Sequence, residues 1–292
     1  MKRIITVQDV SCVGKCSLTV ALPIISAMGV EAAILPTAVL STHTAFSEFT
    51  FCDLTNQIEP ICNHWKKEKI HFDAIYTGYL GSFEQIDLMH KMIDDFGGKD
   101  TLAVVDPCMA DNGSLYKGFT QEFAFSMAKL CGRADYILPN LTEASYLLGI
   151  PYRKKGEYDE DYVVDILQKL AATGAKRVVL KGVEFDEDQK TLKGVKGKIG
   201  IASFDSTNNR ISWYFHKKMD KSFHGTGDVF ASVFTGALMR GLPFEQSYSL
   251  AADFVAESIK ATLVEKDYNW YGVNFECKIP YLIEKINTGY GI

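Results

Sequence analysis

The chain has 292 residues, 47% of them hydrophobic and 23% charged, with a formal net charge of -5. That is globular composition on a chain long enough to bury a large core. The lysines and arginines are dispersed and outnumbered, which argues against nucleic acid or an acidic membrane surface as a partner.

Lys2 to Val7 reads as a first strand, followed by a loop from Gln8 to Gly14 and an apolar helix from Cys16 to Met28 that ends at Gly29 and carries Pro23 as a kink. Glu31 to Leu40 is a second extended stretch. It leads through Ser41-Thr42-His43-Thr44 into Phe46 to Cys52, and Leu54 to Glu68 then has helical spacing. Clear alternation follows: strand Asp73 to Thr77, helix Glu84 to Phe96, strand Thr101 to Val105, helix Gln121 to Leu130, strand Tyr136 to Leu138. Further on come helices at Thr142 to Leu148 and Glu160 to Thr173, with a buried strand at Arg177 to Leu180. Lys198 to Phe215 alternates apolar and polar around Asn208-Asn209, the pattern of an antiparallel hairpin at a sheet edge. The last third is helical, over Gly227 to Arg240, Phe244 to Leu263 and Lys278 to Ile286.

Short apolar strands separated by amphipathic helices predict βαβ units and a mostly parallel central sheet covered on both faces, a three-layer α/β/α sandwich with an antiparallel edge hairpin. No repeat or Ser/Gly/Pro linker divides the chain, so residues 1–292 are expected to form one domain. No run approaches the roughly 18 apolar residues of a membrane span. Met1 to Val7 has two basic residues and no long apolar stretch behind it, so no signal peptide is expected. The seven cysteines are odd in number and scattered, which suits a reducing compartment and predicts a cytoplasmic protein. Cys12 and Cys16 stand four apart without a second Cys or His pair at zinc-site spacing, and read as core or pocket-wall thiols.

Ligands of open α/β sheets sit beyond the carboxyl ends of the strands, and the informative residues fall there. His224-Gly225-Thr226-Gly227-Asp228 runs directly into a helix. Two glycines let the backbone turn sharply and bare its amides, and a helix N-terminus favours an anion, so Asp228 would stand beside a held phosphate as a proton acceptor. The competing reading is a glycine-rich helix start with Asp as a cap. No Gly-x-x-x-x-Gly-Lys-Ser/Thr loop, protein-kinase signature set or dinucleotide fingerprint occurs.

Asp106-Pro107 ends one strand, with Asp111-Asn112-Gly113 and Tyr116 just beyond; such acids hold Mg2+ directly or through water, or simply open a turn. Pro139-Asn140-Leu141-Thr142-Glu143 ends another strand and opens a helix, where Asn140 or Thr142 is either a cap or a nucleotide contact. Lys181-Gly182 follows the next strand and offers a cation for phosphates, or a solvated side chain.

These pieces in this order resemble the ribokinase-like superfamily, and within it the pyridoxal kinases, especially the bacterial pyridoxamine kinase group. Ser41-Thr42-His43-Thr44, Tyr76-Thr77-Gly78-Tyr79-Leu80-Gly81-Ser82 and Asp106-Pro107-Cys108-Met109-Ala110-Asp111 carry the closer match, from Ile4 to about Ile259. The resemblance implies ATP-dependent phosphorylation of the 5'-hydroxymethyl group of a vitamin B6 compound. Asp228 would be the base, and Gly225, Thr226 and Gly227 the anion hole. It places Asp106, Asp111 and Glu143 around Mg2+ and the ATP phosphates, Asn140 there through water, and Tyr116 and Lys181 along the nucleotide. Asp9, His43, Thr44 and Tyr79 would face the pyridine ring. A monovalent cation such as K+ and a homodimer belong to the same expectation. Phosphoryl transfer needs positioning, so closure over the substrate is expected, with Phe46 to Asp53 or Lys217 to Phe223 as the flap.

The first loop departs from the family. Many pyridoxal kinases have Gln-Ser and a longer valine-rich segment where this chain has Gln8-Asp9-Val10-Ser11-Cys12-Val13-Gly14, about two residues shorter. An acidic Asp9 suits a protonated ring nitrogen or the amine of pyridoxamine better than an aldehyde. The alternatives are a hydroxymethylpyrimidine kinase, whose pattern has Cys in place of Asp228, and a non-catalytic vitamin B6 binding protein, which would have a degraded anion hole.

Overall fold

A computed structural model describes residues 1–289. The chain packs as two compact units: unit 1 comprises Met1–Thr101 and Met219–Ile292, and unit 2 comprises Leu102–Lys218.

Unit 1 opens with β1 (Arg3–Ser11), α1 (Leu18–Ala27), β2 (Glu31–Leu40), β3 (Phe51–Asp53), α2 (Thr55–Lys67), β4 (Ala74–Thr77) and α3 (Phe83–Phe96). Its strands lie in the order β4-β1-β2-β3, with β1 parallel to both β2 and β4 and only the short β3 antiparallel. Ile4, Ile5 and Val7 of β1 and Ala74 and Ile75 of β4 are buried, as a parallel strand covered by helices requires.

Unit 2 holds β5 (Leu102–Val105), the two-residue arms β6 (Ala110–Asp111) and β7 (Ser114–Leu115), α4 (Gln121–Cys131), β8 (Tyr136–Ile137), α5 (Leu141–Leu148), α6 (Glu160–Ala172), β9 (Arg177–Glu184), β10 (Lys198–Asp205) and β11 (Arg210–Lys217). Its strand order is β11-β10-β9-β8-β5, parallel from β5 to β9 and antiparallel from β9 to β11. The chain then returns to unit 1 as α7 (Thr226–Met239), α8 (Phe244–Val264) and α9 (Ile279–Thr288).

The α/β architecture with a mostly parallel sheet and an antiparallel hairpin at Lys198–Lys217 is therefore the one expected. Most boundaries fall within two residues of the expectation. Three depart further. β1 runs on through Ser11 instead of yielding to a loop at Gln8, because its ladder with β2 continues past a register shift between Gln8 and Val10 to the pair Ser11↔Leu40. β9 runs to Glu184, held by β10. β3 is confined to Phe51–Asp53.

Candidate active site

In unit 1 the first strand and the Gly225 turn carry the informative groups. Asp9 sits at the register shift of β1, a place where an irregular ladder re-aims a side chain. It is 5% exposed. Its two oxygens accept hydrogen bonds from the hydroxyls of Ser11 at 2.8 Å and Ser17 at 2.6 Å. Burial raises the Asp9 pKa above the usual carboxylate range against the pull of these hydroxyls.

The turn into α7 places Gly225 at the N-cap with φ 74, in the left-handed region, and the Thr226 hydroxyl donates to the Phe223 carbonyl at 3.1 Å. Asp228 lies in the first turn of α7 and is 9% exposed. The helix beyond it is buried on every side from Val229 to Ala237, which fixes that turn rigidly. The Cys16 thiol is pushed up to about 12, first by burial and then by the Asp228 and Asp9 charges. Cys16 is therefore a protonated wall, not a nucleophile.

His43 is buried and its Nε2 lies 3.2 Å from the Tyr271 carbonyl. Its ring packs among Phe46, His224 and Trp270, with centroids 5.0, 5.3 and 5.8 Å away. Burial and the neighbouring His224 lower its pKa. Thr44 is exposed, one residue along the same turn. Tyr79 is half-buried between Gly78 and Gly81; a Cβ on Gly78 would stand 2.9 Å from the Gln8 side chain, so only glycine lets this loop close on β1.

Unit 2 gathers a different set. Asp106 directly follows β5 and is 2% exposed. The Lys181 ammonium reaches both of its oxygens, at 2.9 and 3.0 Å. Burial disfavours the lysine charge, but the Asp106 and Glu143 carboxyls outweigh it and raise Lys181. Glu143 is buried and pushed up to about 8 by burial first, with Lys181 opposing and Asp106 adding to the rise.

The Glu143 oxygens accept the backbone amides of Met109 at 3.3 Å and Asn140 at 2.7 Å. Asn140 returns the bond, its Oδ1 accepting the Glu143 amide at 2.8 Å, which completes a capping box at the start of α5. Asn140 Nδ2 also donates to the Ala110 carbonyl at 2.9 Å, and the Thr142 hydroxyl accepts the Gly113 amide at 3.0 Å. The hairpin β6–β7 is thus sewn onto the start of α5.

Of the expected phosphate-side residues, Asp106, Glu143 and Lys181 come together and Asp111 does not join them. Asp111 is exposed and its carboxylate accepts the amide and side-chain nitrogen of Asn112. Tyr116 is 41% exposed, its amide donating to the Met109 carbonyl at 2.9 Å. Among the described residues no group of three or more His, Cys, Asp or Glu could hold a metal ion. Sequence reasoning passed over Ser11, Ser17 and Lys15 in unit 1.

The chain resembles known proteins over nearly its whole length. A Bacteroides thetaiotaomicron protein crystallised with pyridoxal, and provisionally named a phosphomethylpyrimidine kinase, is 36% identical with a TM-score of 0.88, covering 100% of this chain and 97% of its own. The pyridoxal kinase of Lactobacillus plantarum is 29% identical, with a TM-score of 0.86 and 99% of both chains covered. Among curated proteins, the pyridoxal kinase of Dictyostelium discoideum is 25% identical over 274 residues, 88% of this chain and 86% of that one. A Bacillus subtilis hydroxymethylpyrimidine/phosphomethylpyrimidine kinase is 27% identical over 197 residues, 67% of this chain and 66% of its own. Residues 22–270 match the sequence model of the phosphomethylpyrimidine kinase family, and the chain belongs to that kinase family.

Proposed function

We propose that this protein transfers the terminal phosphoryl group of ATP to the 5'-hydroxymethyl group of a vitamin B6 vitamer, giving the 5'-phosphate and ADP. The observation that carries the reading is the left-handed glycine turn at Gly225 that opens α7 with the nearly buried Asp228 in its first turn. A carboxylate there accepts the hydroxyl proton as the O–P bond forms. The amides of Gly225, Thr226 and Gly227 face the charge that spreads over the transferred group. Similarity to pyridoxal kinases, and to a protein crystallised with pyridoxal, supports a pyridine ring as the acceptor's scaffold. Asp9, His43, Thr44 and Tyr79 are its proposed contacts, with Asp106, Asn140, Glu143, Lys181, Asp111 and Tyr116 toward the nucleotide.

Mg2+ would enter with ATP. Asp106 and Glu143 do not fit direct coordination of a metal: Lys181 meets both Asp106 oxygens and backbone amides meet those of Glu143. In the proposal the phosphates and water therefore carry the ion. We further propose a single kinase domain, a homodimer and a cytoplasmic setting; no described helix is long and apolar enough to cross a membrane.

Incubating the protein with Mg-ATP and a panel of pyridoxamine, pyridoxine, pyridoxal and hydroxymethylpyrimidine, with K+ or Na+ as the only monovalent cation, tests the reading by the phosphorylated product. The family match also supports hydroxymethylpyrimidine as acceptor. Product from that substrate alone would replace the vitamin B6 reading.

A further inference from the structure

We infer that Lys15 is a positioning residue for the phosphoryl-transfer turn, and that the segment Gly272 to Glu276 is the anchor through which it acts. Lys15 follows the β1 loop with φ 50, in the left-handed region, a conformation that costs a non-glycine residue energy and is kept only where its surroundings fix it. Two glycines remote in sequence close on it, one on its backbone and one on its side chain. A Cβ on Gly225 would lie 2.0 Å from the Lys15 carbonyl oxygen, so the bare Cα of the turn rests directly on the Lys15 backbone. A Cβ on Gly272 would lie 2.5 Å from the Lys15 Cβ and 3.3 Å from its Cγ and Cδ, so that glycine is bare where the side chain passes.

The ammonium ends on Asn274 Oδ1 at 2.8 Å and Glu276 Oε2 at 2.9 Å. It is therefore committed to this segment and does not stand as a phosphate ligand. Asn274 is itself tied to the end of α8: its amide donates to the buried Thr262 hydroxyl at 2.8 Å and its side chain to Glu265 at 2.8 Å. The resulting chain of contacts runs from α8 through Asn274 and Lys15 to Gly225, three residues before Asp228. The same stretch of chain steadies the substrate loop, because the Tyr271 carbonyl lies 3.2 Å from His43 Nε2 and Trp270 packs on His43 and Phe46.

Phosphoryl transfer depends on placement more than on covalent chemistry, and a displacement of about 1 Å at the reacting groups costs on the order of 100-fold in rate. The inference rests on the proposed kinase activity, so its test has one readout that does not. Lys15→Met keeps the stem over Gly272 and removes the charge and both hydrogen bonds. In the full chain it is expected to lower kcat with Mg-ATP and the best vitamer about 10- to 100-fold, with KM for ATP within about threefold. Amide hydrogen exchange of the peptide spanning Phe223 to Asp228 should quicken about 10-fold or more while exchange in β4 stays at the wild-type rate. Lys15→Arg should recover most of both losses, and Gly272→Ala, pushing on the Lys15 side chain, should reproduce the Lys15→Met pattern.

Unchanged exchange in the turn, or a kcat loss no larger than the overall loss of folded protein, would overturn the role of Lys15. An inactive wild type whose turn still loosens in Lys15→Met would instead overturn the kinase reading and leave the clamp standing.

Discussion

Buried carboxylates occur in both units, but they are held in different ways. In unit 1, Asp9 is met by two serine hydroxyls, and the Cys16 thiol that feels its charge is kept protonated. In unit 2, Asp106 is met by a lysine on both oxygens, and Glu143 by two backbone amides. Hydroxyls can rotate to serve either a charged or a neutral carboxyl, whereas the Lys181 ammonium and fixed backbone amides favour the charged form, against the burial that raises Glu143. In the proposed reaction this difference fits acceptor chemistry in unit 1 and a pre-set electrostatic platform in unit 2.

The largest effect that tests this division is on turnover. Asp228→Asn keeps the size of the side chain and removes its capacity to accept a proton, so kcat should fall about 1,000-fold or more while vitamer affinity, measured by calorimetry, stays within a few-fold. Full activity in that variant would remove Asp228 from the chemistry. In unit 2 the matching change should act first on stability. Lys181→Met leaves Asp106 buried without its cation and should cost about 3 kcal/mol in urea unfolding, while the double variant Lys181→Met, Asp106→Leu should recover much of that loss. If the single change costs stability nothing, the lysine–aspartate pair is not the platform described.

Glu143 sharpens the contrast through pH. Its folded pKa stands near 8 against an ordinary value of 4.5, so folding takes up a proton between those limits. Its contribution is fully present below about pH 4.5 and is lost as pH rises through about 8. Glu143→Gln cannot titrate. Urea unfolding at pH 5 and pH 8 should therefore show the wild type losing ground to Glu143→Gln by about 1 kcal/mol or more as pH rises. Parallel pH profiles of the two proteins would mean that Glu143 stays ionised throughout.

What could be read in advance followed from local pattern. Glu31 to Leu40 was expected as an extended stretch, Lys198 to Phe215 as an alternating hairpin and Phe244 to Leu263 as a helix, and all three are formed within two residues of those bounds. Asn140 and Glu143 carried two readings, and the capping geometry is the one their spacing of three residues creates in a helix start. The Ala110–Leu115 hairpin went unseen because two-residue arms are too short for any alternation to register. The Lys15 clamp went unseen for a deeper reason: Lys15 and Asn274 lie 259 positions apart, and only the closed fold brings them together. Asp9 was legible as a departure from the family pattern, but its serine partners were not, since a hydroxyl carries no periodic signal.

The smallest expected effect concerns which vitamer is chosen. Asp9 is buried with its oxygens already accepting from Ser11 and Ser17, so any positive group of a bound vitamer would gain a carboxylate whose orientation is fixed before binding. Burial that raises the Asp9 pKa makes the lone anion costly, and a cationic partner offsets that cost. Pyridoxamine, with its amine, should therefore be favoured over pyridoxal. Asp9→Asn keeps the shape and hydrogen-bonding reach of the side chain without the charge, and Asp9→Ser restores the residue that many pyridoxal kinases carry. Both variants should lower the ratio of kcat/KM for pyridoxamine over pyridoxal by about fivefold, mostly through KM for pyridoxamine, since one charge-assisted hydrogen bond at a partly polar site is worth about 1 kcal/mol more than a neutral one. An unchanged ratio in both would show that vitamer choice is made elsewhere, with the Tyr79 loop the next place to look.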